Sequence, residues 1–189
     1  MQNFQTSKSG GHSSLQKKIV RDYKLLKRIT EGLRAAKYKI VVTIGSWDML
    51  HIGHVRYLME AKNRGDILVV GTDTDAAIKR YKGPNRPIIP EGERMEMLSY
   101  QACVDFVTTV SDVDDKGNWD YSLIKVLKPD VFIAVEDSYP PSQRREIKKY
   151  CNELVVLPRQ AENTSSSSII QDSFKKNISA MMELLERKQ

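Results

Sequence analysis

Five short, β-branched apolar runs alternate with segments of helical periodicity along the chain. That alternation predicts an α/β fold built on a parallel sheet with helices on both faces. Two further observations support it. The runs are nearly continuous in apolar residues, as strands buried on both faces are. The 189 residues also suit one domain, large enough to bury about 70% of its unfolded surface without disulfide staples.

Residues 1–13 are rich in Gly, Ser and Gln and read as a disordered tail. From Ser14 onward Leu15, Ile19, Tyr23, Leu26, Ile29 and Leu33 recur every three or four residues. This predicts a basic amphipathic lead-in helix within residues 14–38, capped by Ser13 or Ser14. KIVVTI is the first strand, and HIGHVRYLMEAKNRG is a helix with Gly65 as its stop. DILVVGT is the second strand, with a helix from Asp73 to Lys79 after it. YKGPNRPIIPEG, with three prolines and two glycines, is a loop, and Pro90 opens the next helix. VDFVTTV, PDVFIAV and ELVVLP are the remaining strands. YSLIKVLK and PSQRREIKKYC are the helices between them, and SDVDDKGN is a polar loop. The last helix runs from roughly Ser167 to Glu186. The expected architecture is a Rossmann-like, five-stranded parallel sheet, whose ligands bind beyond the carboxyl ends of the strands.

The net charge of +6 is unevenly spread. Residues 1–39 carry ten Lys and Arg against Asp22 and Glu31, whereas the remaining 150 residues carry 20 basic and 22 acidic side chains. The basic excess belongs to the N-terminal segment, so no nucleic-acid partner is expected for the body. No apolar run approaches a membrane span, and Cys103 and Cys151 lie in or beside apolar segments. A cytoplasmic protein with buried free thiols is expected.

Only three histidines occur, His12, His51 and His54, and the last two share the stretch GSWDMLHIGHVRYL between a strand and a helix. Four readings of that pair compete. Packing is one. A shared metal ion is another, although no third His or Cys is near and only Asp48 could join. A phosphate site is the third: a helix N-terminus offers unpaired N–H groups, Gly45 and Gly53 allow close backbone approach, and imidazoles could donate to phosphate oxygens. A nucleic-acid enzyme that shares the same tetrapeptide is the fourth.

Longer segments decide between these readings by resemblance. GSWDMLHIGHVRYLMEAKNRGDILVVGTDTD resembles the opening of the cytidylyltransferase-like nucleotidyltransferases. YKGPNRPIIPEGERMEMLSYQACVDFV is similar to that family's K-G-x-x-x-P-x-x-P-x-x-x-R segment. LKPDVFIAVEDSY resembles its K-P-D strand, and NTSSSSII its S-T-T/S motif. The resemblance spans roughly residues 20–186 and makes residues 39–189 a nucleotidyltransferase domain. It implies transfer of a nucleoside monophosphate from ATP or CTP to a phosphate-monoester metabolite, with release of pyrophosphate. His51 and His54 would contact the triphosphate, Lys82 would reach it from a mobile loop, and Arg94 would hold nucleotide or acceptor phosphate. Gly45, Ser46, Trp47, Asp48, Gly53, Asp137 and Thr164, with Ser165, Ser166, Ser167 and Ser168, would form the rest of the nucleotide site. Asp48 would orient the turn, in an Asx-turn or otherwise, or bind substrate or metal. Arg86 and Arg159 are either phosphate ligands or surface charges. Mg²⁺ would offset the triphosphate charge, no protein metal cage is expected, and a homodimer is the default.

Two stretches depart from the family pattern. Ala134, Val135 and Glu136 stand where a lysine and glycines are usual, and ENTSSSSII lacks the usual glycine. The sugar-phosphate branch, whose heptose members use ATP, fits the lead-in helix and GPNRPIIPE best. CTP-dependent transfer to glycerol phosphate or a phospho-amino-alcohol, an FMN adenylyltransferase and a non-catalytic nucleotide-binding regulator are the alternatives. A tRNA-charging fragment is disfavoured, because no K-M-S-K-S-like segment exists.

Overall fold

A computed structural model describes residues 17–186 except Gly117. The expected tail over 1–13 and the cap at Ser13 or Ser14 lie outside the described residues. Five strands, β1 (Ile40–Gly45), β2 (Ile67–Asp73), β3 (Phe106–Val110), β4 (Val131–Val135) and β5 (Glu153–Leu157), form one sheet in the order β3-β2-β1-β4-β5. Every pairing between them is parallel. The chain winds outward from β1 through β2 to β3, then returns to lay β4 on the other side of β1. That reversal of direction leaves a crevice beyond the carboxyl ends of β1 and β4.

The pleat sends successive residues to opposite faces, and both faces are covered. Ile40, Val42 and Phe132 pack under α1 (Tyr23–Ala35), α5 (Ser122–Leu127) and α6 (Pro141–Lys148), with Leu26, Leu123 and Ile147 in that layer. Val41, Val131 and Ile133 pack under α2 (Ile52–Lys62) and α4 (Glu91–Ser99), with Leu58, Ala61, Met95 and Leu98. The short α3 (Asp75–Lys82) follows β2 and buries Ala77 and Ile78. Cys151 is buried, Cys103 is half-buried, and both are free thiols. Among the described residues no helix is long and apolar enough to cross a membrane.

Three boundaries differ from the sequence reading. The lead-in helix begins at Tyr23, with the Asp22 carboxylate accepting from the Lys24 N–H at 2.8 Å. Residues before it run beside the sheet edge: Val20 donates to the Val107 carbonyl and Val107 to the Lys18 carbonyl, both at 2.8 Å. The edge of β3 needs backbone partners, and Val20 gains burial there, so an extended segment wins over a helical one. The helix after β2 starts at Asp75, because Thr74 caps it through the Ala77 N–H. Finally, Gly65 is not a left-handed helix stop. A Cβ there would sit 2.7 Å from Val41 Cγ2 and 2.9 Å from the Lys39 carbonyl, so its role is close passage past β1.

Candidate active site

The crevice at the ends of β1 and β4 is a cavity of about 580 Å³. Its first wall is the turn from β1 into α2. Trp47 and Met49 both take left-handed backbone there, at φ 51° and 52°, a conformation that costs about 1–3 kcal/mol per non-glycine residue unless the surroundings hold it. Two anchors do so. The Trp47 indole Nε1 donates to the Gly71 carbonyl at 2.8 Å, with the ring buried between Tyr57 and His54. The fully buried Asp48 carboxylate accepts from the N–H groups of Ile88 and Ile89 and from Arg86 Nε at 2.7 Å. Both of its oxygens are occupied, so Asp48 ties the 83–90 loop to the turn. It is neither an Asx-turn nor a ligand facing the cavity. Hydrogen bonds and Arg86 hold its pKa below the usual carboxylate value against the cost of burial.

Helix α2 starts with His51 as its cap. His51 Nδ1 accepts from the Gly53 N–H at 3.2 Å, and His54 Nδ1 accepts from the His51 N–H at 3.4 Å. An accepting Nδ1 places the ring proton on Nε2. Neither Nε2 has a partner among the described residues, and both rings line the cavity, 3.9 Å apart by centroid. Burial, then the neighbouring His51 and Lys82, drives the His54 pKa down to about 3. Burial and Arg159 lower that of His51. Both are therefore neutral N–H donors at pH 7. Gly53 lets the chain pass closely here: a Cβ would stand 3.0 Å from Ala161 and 3.1 Å from the His51 ring.

Lys82, the last residue of α3, donates to Ser46 Oγ at 2.8 Å and lines the cavity. Burial and nearby Arg86 lower its pKa. The far wall is the start of α7 (Ser166–Glu186). Ser168 N–H donates to Ser165 Oγ and Ser165 N–H to Ser168 Oγ, a reciprocal cap that shapes the turn. Ser166 Oγ donates to the Asp48 carbonyl at 2.5 Å, joining this turn to the first wall. Thr164, Ser165, Ser166 and Ser167 face the cavity, whereas Ser168 serves the cap and does not.

Gly45, Ser46 and Asp137 also border the cavity. Asp137 is bridged by Arg159, whose Nε donates at 2.8 Å, so the departure after β4 is closed by an ion pair at the rim. Arg86 and Arg159 both border the cavity, Arg86 largely covered and Arg159 exposed at the rim.

Arg94 departs from expectation. It is fully buried, and its five N–H donors meet five acceptors: the carbonyls of Ile89, Ser46 and Asp73, Thr72 Oγ1, and Asp75 Oδ1. No donor is left for a phosphate. Arg94 is a positioning residue that fastens α4 to the ends of β1 and β2 beneath the site. Sequence reasoning missed a separate group on the β2 side of the cavity, namely Asp73, Tyr81, Trp119 and Tyr139. The available signal was an acidic residue closing an apolar strand at the ligand-binding edge.

The cytidylyltransferase-like family model matches residues 42–181, which include every residue that lines this cavity. The chain belongs to the cytidylyltransferase-like family. It is 39% identical over 149 residues to the bifunctional protein HldE of Desulfatibacillum aliphaticivorans, covering 78% of this chain and 29% of that protein. It is 43% identical over 112 residues to HldE of Geobacter metallireducens, covering 59% of this chain and 22% of the relative. The chain thus spans about a quarter of the length of these curated relatives. Among solved structures it is similar to a lipopolysaccharide core biosynthesis protein from Thermoplasma volcanium, with a TM-score of 0.54 and 28% identity over 65% of this chain and 98% of that one. A pantoate-beta-alanine ligase from Francisella tularensis shares the fold, with a TM-score of 0.54 at 16% identity.

Proposed function

We propose that the chain transfers a nucleoside monophosphate from ATP or CTP to a small phosphorylated metabolite, a sugar or polyol phosphate, and releases pyrophosphate. The observation that carries this reading is the pair of neutral imidazoles with free Nε2–H groups at the N-terminus of α2, facing a cavity that also receives Lys82 and the 164–167 hydroxyls. Similarity to HldE and to a lipopolysaccharide core biosynthesis protein supports the sugar-phosphate acceptor.

The nucleophile is already an anion, since the second pKa of a phosphate monoester is about 6. No general base is needed. The acceptor phosphate oxygen attacks the α-phosphorus, the α–β bridging bond breaks in line, and the bond's electrons leave with pyrophosphate. His51 and His54 donate to the oxygens whose charge grows in the transition state, while Lys82 and the α7 turn hold the β- and γ-phosphates. Neutral donors suit this task, because they pre-exist without a counter-ion.

Mg²⁺ would supply charge neutralisation on the triphosphate. No group of three His, Cys, Asp or Glu that could hold a metal exists among the described residues. Such a site fits an ion carried by substrate phosphates and water, with Asp73 and Asp137 the carboxylates that border the cavity. A homodimer and a cytoplasmic location complete the reading. The exposed apolar residues Phe174, Ile178, Met181 and Leu185 on α7, spaced four, three and four apart, support pairing with a second copy.

The test is pyrophosphate release with each of ATP, CTP, GTP and UTP against a panel of sugar, polyol and amino-alcohol phosphates. Release with one triphosphate that depends on a sugar or polyol phosphate is expected. Tight nucleotide binding with no release for any acceptor would favour the non-catalytic regulator instead.

A further inference from the structure

Helix α7 begins in the site and ends outside the body. Its first turn supplies the far wall, where Ser166 Oγ donates to the Asp48 carbonyl. Ile169 and Ile170 are half-buried, and the Ile169 N–H donates to the Ser165 carbonyl at 3.0 Å. From Gln171 to Leu185 every residue is exposed, so the body covers neither face of this stretch. A helix of about 15 residues without tertiary contacts is marginal in water. It frays from its far end unless something packs on it. Fraying that reaches Ser168 undoes the reciprocal Ser165–Ser168 cap and loosens the wall that faces the phosphates.

The exposed stretch shows what packs on it. Phe174, Ile178, Met181 and Leu185 are spaced four, three and four apart, the repeat of a two-helix seam, and Met182 and Leu184 widen it. At 3.6 residues per turn Asp172, Lys176 and Glu183 fall on the opposite side, with Lys175 at its border. Two acids and two bases cancel there. A helix that lies on a bilayer carries a polar face rich in Lys and Arg, so this one suits another helix better. The same stripe on a second copy completes the contact by two-fold symmetry. The six apolar side chains expose on the order of 600 Å² per copy, so a pair covers on the order of 1,200 Å², the lower end of stable interfaces.

We infer that pairing of α7 with its copy and binding of the triphosphate reinforce each other, because the paired stretch and the phosphate wall are one helix. The inference rests on the nucleotidyl-transfer reading above and adds a regulation of that site. Pairing holds α7 helical and so holds the 164–167 turn in place. Phosphates on that turn hold the start of α7 and so favour the pair. The coupling is reciprocal. With one site per copy, saturating nucleotide tightens the pair by the square of the factor by which pairing tightens each site.

The experiment measures binding of the α,β-methylene analogues of ATP and CTP, with Mg²⁺, at wild-type concentrations below and above the dissociation constant of the pair. Sedimentation equilibrium gives that constant with and without analogue. One analogue should bind at least about 5-fold more tightly to the paired protein, and it should lower the dissociation constant of the pair about 25-fold or more. Met181→Glu combined with Leu185→Glu should show the weak affinity at every concentration. Dilution of wild type needs no substitution, so the result does not depend on how that variant folds. Hydrogen exchange without nucleotide is the third readout. The amides of Ser165, Ser168 and Ile169 should exchange at least about 5-fold faster in unpaired than in paired protein. A wild type that does not pair, or one affinity at all concentrations with exchange unchanged by pairing, would overturn the inference. Exchange that follows pairing while neither analogue binds would instead refute the transfer reading and leave the pairing-dependent wall standing.

Discussion

At the scale of the residue, His51 and His54 owe their character to which nitrogen is engaged. Nδ1 of each accepts a backbone N–H, so the cavity sees Nε2–H donors that cannot rotate away without uncapping α2. Replacing either by Ala should lower kcat by about 10²-fold or more, the range for lost transition-state donors, with steady-state kinetics as the check. The low His54 value also has a stability signature. Its folded pKa lies below its unfolded one, so the unfolded chain takes up the proton first. The stability gained from the neutral ring is complete above pH 6.5 and is lost as the pH falls toward about 3, by at most about 1.4 kcal/mol per pH unit. Denaturant midpoints of wild type and His54→Ala at pH 7 and pH 5 should show the larger acid loss in wild type. Asp73, raised to about 6, opposes that trend in both proteins and cancels from the comparison. The placement of His51, His54 and Gly53 at a helix start was legible in the sequence, because they lie between an apolar strand and a segment of helical spacing. The work of Asp48 and Asp73 was not. Their partners lie 38–41 and 8 residues away, and no local pattern announces what each carboxylate will be tied to.

At the scale of the element, α4 and the loop before it are held by two polar clamps. Asp48 grips the loop at Ile88 and Ile89, and Arg94 grips the ends of β1 and β2 from the first turns of α4. Arg94→Met should therefore cost about 3–5 kcal/mol of stability, because it strands Asp75 and three backbone carbonyls. Urea unfolding measures it. A loss of triphosphate affinity at undiminished stability would return Arg94 to the phosphates. The sequence placed Arg94 correctly on a helix but could not count its acceptors, which come from three other segments. The start of α1 was misread for a related reason. Ile19 and Tyr23 satisfy helical spacing, yet the pull on residues 18–20 comes from the unpaired edge of β3, some 87 residues on.

At the scale of the molecule, strand order decides where the site is. Placing β4 next to β1 opens the crevice, and the β1–α2 turn, the start of α7 and the β2–α3 region converge on it. That much was legible, since alternating apolar runs and helices leave few parallel topologies and put ligands at one edge. How the rim closes was not, because the Asp137–Arg159 pair joins residues whose proximity depends on β4 and β5 lying side by side. A paired assembly is expected to bury the α7 stripe. Sedimentation should give a dimer for wild type and a monomer for Met181→Glu combined with Leu185→Glu; equal masses would remove α7 from the interface. The central claim is that the two imidazoles face the phosphates of a nucleoside triphosphate. Calorimetric titration of ATP and CTP with Mg²⁺ into wild type and a His51→Ala/His54→Ala double variant tests it most directly. One triphosphate should bind wild type, with affinity at least about tenfold weaker in the double variant, as expected for two lost donors to a charged ligand. No binding to wild type, or equal binding to both proteins, would contradict it.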